Sequence, residues 1–95
     1  MFLHVTHAAY IDDYKIEISF SNGRKGVADL SSTLHGPVFE PLKDKAFFAQ
    51  IRLDEELATI CWPNGADFAP EYLYYHAFKT EPDLQSQFKE WGYLE

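Results

Sequence analysis

A strictly alternating segment followed by a turn signal constrains the fold of this chain more than any other feature. In residues 14–20, Tyr-Lys-Ile-Glu-Ile-Ser-Phe, an apolar side chain occupies every second position. Such a period of two is typical of a strand with one buried face. Asn22-Gly23 follows, and glycine accepts the positive φ that a hairpin turn requires. We therefore predict a β-hairpin whose second strand is formed by residues 24–30.

The register of this hairpin depends on the length of its loop. A two-residue loop pairs Ile16 with Asp29 and places a carboxylate on the apolar face of the hairpin. A three-residue loop with a bulge at Gly23 brings small or apolar residues to that face instead: Gly26 beside Ile18, Ala28 beside Ile16 and Leu30 beside Tyr14. We expect the second register, because burying an unpaired carboxylate is costly.

The remaining elements predict an α+β fold, with a small antiparallel sheet of hairpins covered on one side by short helices. An earlier strand is expected over residues 2–11, and the prolines of residues 31–43 favour an irregular crossover. Further along the chain, the patterns predict a short helix at 45–50 capped by Asp44, and then a second hairpin formed by 51–53 and 57–62 around an acidic turn. Pro70 is expected to begin the next helix. A last helix is predicted with Thr80 as its cap and Gly92 just past its end.

The length of 95 residues predicts one domain, within which we expect a core at residues 1–79 and a C-terminal helix at 80–95 that packs on the core or at an interface. The net charge of −7 lies entirely in residues 54–95, which carry nine acidic and two basic side chains. Such a field repels phosphate backbones and makes direct nucleic-acid binding unfavourable. No basic leader or long apolar run is present, so we predict a cytoplasmic protein without membrane contact.

The motifs that would indicate common catalytic sites are absent from this sequence. It has no Gly-x-Ser-x-Gly nucleophile motif, no phosphate-binding P-loop and no Rossmann glycine pattern. His4 and His7 point to opposite faces of the predicted first strand, and the single cysteine, Cys61, excludes a cysteine zinc cluster and an internal disulfide. We therefore predict no catalytic residue, no metal site and no cofactor.

The segment CWPNGADFAPEYLY, residues 61–74, carries the densest group of aromatic, polar and turn-forming residues. We interpret it first as a structural corner that connects a strand to the following helix. Pro63 ends the strand, Asn64-Gly65 forms a tight turn, and Asp67 accepts backbone N–H groups ahead of the helix. The alternative hypothesis is an aromatic cleft for a small ligand, with four candidate residues: Trp62, Asn64, Asp67 and Tyr74.

The predicted last helix has an apolar stripe formed by Leu84, Phe88 and Trp91 at i, i+4 and i+7. Such a stripe most often packs on its own domain. Left exposed, it would mark a protein interface, so these three residues are the candidate interface.

The corner segment also resembles the W-P-N-G-A-D-x-x-P-x-x-L-Y hallmark of the bacterial domain-of-unknown-function family 2442, and the resemblance covers about residues 4–76. The matching residues are Trp62-Pro63-Asn64-Gly65-Ala66-Asp67, Pro70, Leu73 and Tyr74. The resemblance implies a small α+β domain with no established reaction, cofactor or catalytic residue. It also implies relatives joined to a helix-turn-helix DNA-binding domain, and others in two-gene modules of toxin–antitoxin character.

Together, these features lead us to expect a non-catalytic protein-interaction or regulatory module, such as an antitoxin-like or accessory subunit. Its partner would be another protein or a second copy of the chain, as in a homodimer. The alternative is a small-ligand-binding protein or enzyme that uses the cleft at residues 62–74. A third hypothesis is a transcriptional regulator that acts with a separate DNA-binding subunit.

Overall fold

The computed structural model describes residues 3–93 and confirms the α+β fold class. Residues 2, 94 and 95, which we included in the predicted first strand and last helix, lie outside the described part of the chain. The strands and helices in chain order are β1 Val5–Asp12, β2 Lys15–Phe20, β3 Lys25–Asp29, α1 Lys45–Phe48, β4 Arg52–Asp54, β5 Thr59–Cys61, α2 Pro70–Phe78 and α3 Gln85–Glu90. Short 3-10 turns precede α1 at Glu40–Lys43 and α3 at Pro82–Leu84.

Strands β1, β2 and β3 form an antiparallel sheet in that order, and its hairpin has the register that we expected. Ile18 pairs with Gly26, Ile16 pairs with Ala28, and the Leu30 amide donates to the Tyr14 carbonyl at 2.9 Å. Gly23 has a φ of 88°, as a bulged three-residue loop requires. The buried charge of the alternative register is thereby avoided.

Strands β4 and β5 form a second, two-stranded antiparallel sheet, and the acidic turn between them is closed by Asp54. The Asp54 carboxylate accepts the amide protons of Glu56 at 2.9 Å and Leu57 at 3.0 Å. Next to this turn, the Ala58 carbonyl accepts the Val5 amide at 2.9 Å. This bond ties the small sheet to the first strand of the larger one.

Helix α1 begins at the predicted cap and inserts an aromatic side chain into the core. The Asp44 carboxylate accepts the Ala46 amide at 3.0 Å, which satisfies one free donor of the first turn. Phe48 is fully buried, and the ring edges of Tyr10 and Tyr14 pack against it. The crossover and α1 therefore cover the inner face of the sheet at the β1–β2 side.

Helix α2 covers the β3 side of the same face at close range. A Cβ atom added to Gly26 would lie 2.7 Å from Cε1 of Phe78 and 3.5 Å from Cβ of Ala77. The absence of a side chain at this position is therefore what lets the helix pack directly on the strand. Among residues 3–93, no helix has the length and apolar character needed to span a membrane.

The C-terminal helix differs from the prediction at its start and agrees with it at its end. Thr80 was expected as the cap, but the chain enters α3 through the 3-10 turn after Glu81, and neither start carries a side-chain cap hydrogen bond. Pro82 stands at the first position of that turn, where its missing N–H costs no hydrogen bond. At the end, Gly92 has a φ of 89° and the Tyr93 amide donates to the Phe88 carbonyl, so glycine terminates the helix as predicted.

Candidate functional site

The Trp-Pro-Asn-Gly part of the corner is a tight turn that reverses the chain. The Gly65 amide donates to the Trp62 carbonyl at 3.0 Å, and the Trp62 amide donates to the Ala66 carbonyl at 2.9 Å. Gly65 has a φ of 87°, a conformation that side-chain-bearing residues rarely adopt. Pro63 occupies the position of a turn where a fixed φ is favoured. The structure thus has the tight turn that the sequence predicts at this point.

Trp62 is built into the core and is not free to line an open cleft. Its side chain is 1% exposed, and its indole Nε1–H donates to the Phe48 carbonyl at 2.9 Å. Its ring packs against Phe48 and Phe68 at centroid distances of 5.5 and 5.8 Å. Its polar atom and its apolar surface are both used within the domain.

Asn64 joins the corner to the irregular crossover. Its Nδ2 donates to the Val38 carbonyl at 2.9 Å, while its Oδ1 accepts the Ala66 amide at 3.1 Å. One side chain therefore closes the turn locally and anchors a segment 26 residues away in sequence.

Asp67 does not have the role that we predicted for it. We expected its carboxylate to accept backbone N–H groups ahead of α2, but the helix begins after Ala69 without a side-chain cap hydrogen bond. The Asp67 backbone instead forms an antiparallel bridge with Cys61, the last residue of β5, and so closes the turn that follows this strand. Its side chain is exposed, and it lies two residues before Ala69, the N-cap position from which a side chain could reach the helix amides.

A separate groove of about 410 Å³ lies where the β2–β3 turn, α2 and the C-terminal segment meet. We call it the α2–α3 groove and define it by its lining residues: Leu3, Ser21, Asn22, Glu71, Tyr74, Gln87 and Trp91. Of the four predicted ligand-binding residues, only Tyr74 lines it; Trp62, Asn64 and Asp67 lie elsewhere, in the corner.

Tyr74 and Asn22 hold the floor of the groove in one arrangement. The Tyr74 ring packs edge-on against Phe20 at 5.0 Å, and its side chain is 2% exposed. Its hydroxyl accepts from Asn22 Nδ2 at 3.1 Å, while Asn22 Oδ1 accepts the Arg24 amide at 3.0 Å. The hairpin turn and α2 are thereby fixed to each other.

The electrostatics of the groove are set by a carboxylate. Glu71, in the first turn of α2, is the charged side chain among the lining residues. The neighbouring Arg24 is paired elsewhere: its guanidinium donates to Asp83 at 2.6 Å and lies 5.8 Å from the Phe78 ring centroid. The hydrogen bond to Asp83 raises the pKa of Arg24 above its ordinary value. No cation of the described chain therefore lines the groove with Glu71.

The predicted interface stripe is divided between the core and the groove. Leu84 and Phe88 are buried within the domain, whereas Trp91 is half-buried and forms one wall of the groove. The Trp91 ring lies 6.0 Å from that of Tyr74. Of the three candidate interface residues, Trp91 has surface available to a partner.

An aromatic cluster on the outer side of α2 surrounds a histidine. The His76 ring lies 4.5 Å from that of Tyr72 and 5.2 Å from that of Tyr75, and its buried Nδ1 has no hydrogen-bond partner within residues 3–93. Burial, aided by Lys79 and opposed by Asp29, lowers the pKa of His76 below its ordinary value. Desolvation therefore favours the neutral form of the ring. In the same described range, no three side chains are placed to hold a metal ion.

The sequence comparison decides the family. Residues 5–79 match the profile of a family described as protein of unknown function, DUF2442. The chain belongs to this family. No curated protein matches the chain.

A solved structure resembles the DUF2442 domain closely in fold. It is the crystal structure of the putative DNA binding protein NE0471 from Nitrosomonas europaea ATCC 19718, with a TM-score of 0.75 and 18% sequence identity. The similarity covers 100% of this chain and 64% of that one, so the DUF2442 chain spans less than two thirds of the length of NE0471. At this identity the likeness establishes the shared fold.

The α2–α3 groove lies at the boundary of the DUF2442 match. Glu71, Tyr74 and Asn22 fall inside residues 5–79, whereas Gln87 and Trp91 come from the segment beyond. From the sequence we assigned Asn22 only to the hairpin turn, and we gave Glu71 and Gln87 no role. No local signal marks them, because segments around residues 3, 21, 71 and 87 are brought together only by packing.

We predict that Asn64→Ala lowers the free energy of unfolding of the DUF2442 domain by about 1 kcal/mol, because two hydrogen bonds of one side chain are lost. Asn64→Asp is the comparison variant: it keeps an acceptor for the Ala66 amide and replaces the donor to the Val38 carbonyl by a charged oxygen, so it reports the loss of that donor together with the added charge. Urea denaturation followed by circular dichroism measures both variants. An unchanged midpoint for Asn64→Ala would show that the corner does not depend on this side chain.

Proposed function

We propose that the DUF2442 domain is a non-catalytic protein-interaction module, an accessory or antitoxin-like subunit that binds a basic segment of a partner protein in the α2–α3 groove. The observation that carries this proposal is the combination of one carboxylate, Glu71, with the half-buried indole of Trp91 in a groove lined by no cation of residues 3–93.

The lining chemistry of the groove suits an arginine or lysine side chain. A carboxylate forms charge-assisted hydrogen bonds with a guanidinium, and an indole face attracts a cation. Arginine satisfies both groups at once, because its planar head can stack on Trp91 while its N–H groups reach Glu71. The Asn22 amide oxygen is already used by Arg24, which leaves Glu71 as the strongest acceptor of the groove.

The distribution of charge also favours a basic partner. Residues 54–95 carry a net charge of −7, and the helical walls of the groove, α2 and the α3 segment, belong to this half of the chain. Such a field speeds the approach of a basic surface and repels nucleic acid. The similar protein NE0471 is named a putative DNA binding protein. If this domain takes part in DNA binding, we therefore expect the bound partner protein to make the contact with DNA.

The test compares two carboxylate variants that change the net charge equally. We expect Glu71→Gln to raise the dissociation constant for a short arginine-rich peptide about tenfold. Glu55→Gln, in the exposed turn of the second hairpin, should change the dissociation constant by less than about twofold. The same peptide with citrulline in place of each arginine removes the cation without altering shape. Nuclear magnetic resonance titration monitors the indole N–H of Trp91.

Equal losses of peptide affinity for Glu71→Gln and Glu55→Gln would show that the interaction is a general charge effect and would contradict the proposal.

The volume of the groove supports a second candidate function, binding of a small ligand, because about 410 Å³ falls within the range of ligand pockets. Tyr74 is the residue common to this groove and the predicted cleft. Uncharged aromatic fragments that shift the Trp91 signal equally well in Glu71→Gln would favour this second function.

A further inference from the structure

Strand β3 is an edge of the three-stranded sheet, and its outward-facing residues alternate in a symmetrical way. Within residues 3–93, the order β1-β2-β3 leaves one side of β3 without a neighbouring strand. Lys25, Val27 and Asp29 are exposed on its outer face, and Val27 is 46% exposed although it is apolar. A basic, an apolar and an acidic residue thus follow one another at equal spacing.

The hydrogen bonds at the two ends of the hairpin show which backbone groups face the open edge. The Phe20 amide donates to the Arg24 carbonyl and the Leu30 amide to the Tyr14 carbonyl, both at 2.9 Å. Hydrogen-bonded pairs alternate along an antiparallel ladder, so the even-numbered residues from 24 to 30 bond to β2. The N–H and C=O groups of Lys25, Val27 and Asp29 therefore point away from β2.

We propose that β3 pairs antiparallel with β3 of a second copy of this chain, around a two-fold axis at Val27, to form a continuous six-stranded sheet. In this register, Val27 faces its own copy and Lys25 of each chain faces Asp29 of the other. The three residues whose backbone groups face the edge are then the ones that exchange hydrogen bonds. The backbone alternation restricts the pairing to registers that place odd-numbered residues opposite each other, and among these the side-chain charges favour the one centred on Val27.

The charges of this strand exclude other pairings as well as favouring this one. A lysine on an edge strand normally prevents pairing with foreign strands. That penalty is removed when the incoming strand places a carboxylate opposite, as a second copy of β3 does. Within one chain Asp29 Oδ1 accepts the Ser31 amide at 3.0 Å, and Lys25 Nζ lies 3.7 Å from the Glu17 carboxylate of β2, so the pairs across the axis form beside these contacts. A closed two-fold pair also leaves no β3 edge for further addition.

The decisive experiment is made on the unaltered protein from micromolar to millimolar concentration. Sedimentation velocity is expected to show a monomer–dimer equilibrium. Amide hydrogen exchange is expected to slow with concentration at Lys25, Val27 and Asp29. Gly26 and Ala28 are the internal controls, because their amides already bond to β2 in the single chain. A monomer throughout, or a dimer in which the Val27 amide exchanges as fast as in the monomer, overturns the proposal.

A charge exchange within one strand provides an independent check. Lys25→Glu or Asp29→Lys alone creates two like-charged pairs across the axis and should raise the dimer dissociation constant about tenfold. The double variant Lys25→Glu with Asp29→Lys restores opposite charges in both pairs and should recover the dimer. If either single variant dimerises as tightly as the unaltered protein, the proposed register is wrong. The β3 edge is separate from the α2–α3 groove, so Glu71→Gln should leave dimerisation unchanged.

Discussion

Trp62→Ala is expected to lower the free energy of unfolding by about 3–5 kcal/mol, which is a large part of the stability of a domain of this size. The side chain is 1% exposed and lies between the rings of Phe48 and Phe68, so its removal leaves a cavity that the surrounding aromatic rings cannot fill without moving. It also removes the indole N–H, the nearer of two donors to the Phe48 carbonyl, at 2.9 Å. Urea denaturation monitored by circular dichroism measures the change.

The matched control is Trp62→Phe, which keeps most of the aromatic packing and removes the indole N–H. Its expected cost is smaller, about 1–3 kcal/mol, because the phenyl ring keeps most of the packing. The remaining cost arises because the Phe48 carbonyl keeps only the longer bond of 3.3 Å from the Ile51 amide. The difference between the two variants separates the packing contribution of the ring from that of the hydrogen bond. A Trp62→Ala protein that unfolds within about 1 kcal/mol of the unaltered chain would show that this residue is not a core anchor.

Gly26→Ala is expected to destabilise the domain by about 1–3 kcal/mol, although it adds only one methyl group. That carbon would lie 2.7 Å from Cε1 and 3.0 Å from Cζ of Phe78, and the Phe78 ring is itself held against Phe20 and Tyr74. The ring or the helix must therefore move away from β3. Thermal and urea unfolding of the variant give the size of the effect.

A double-mutant cycle with Phe78→Leu identifies the cause. Leucine lacks the ring atoms that the new methyl group meets, so Gly26→Ala should cost less in the Phe78→Leu background than in the unaltered chain. Additive effects of the two substitutions would mean that the contact with Phe78 does not limit the approach of α2.

The candidate site was less predictable than the fold. Tyr74 is the one predicted ligand-binding residue that lines the α2–α3 groove, and the reason is visible in its partners. Its hydroxyl meets Asn22, 52 residues away in sequence. Asp67 was expected to accept backbone N–H groups of the turn ahead of Pro70, yet its side chain is exposed while its backbone pairs with Cys61. A side chain's residue type indicates what it can bind, and only its neighbours in space decide what it does bind.

By itself, the amino-acid sequence determined the β2–β3 hairpin and its register, the cap at Asp44 and the glycine end of α3. Each of these depends on residues close together in the chain: side-chain alternation, a carboxylate two residues from an amide, or a φ that glycine accepts. The tertiary structure alone decided that Trp62 is anchored to Phe48 and that Glu71 and Trp91 line one groove. Packing between distant segments creates cavities and buries donors, and local pattern carries no information about it.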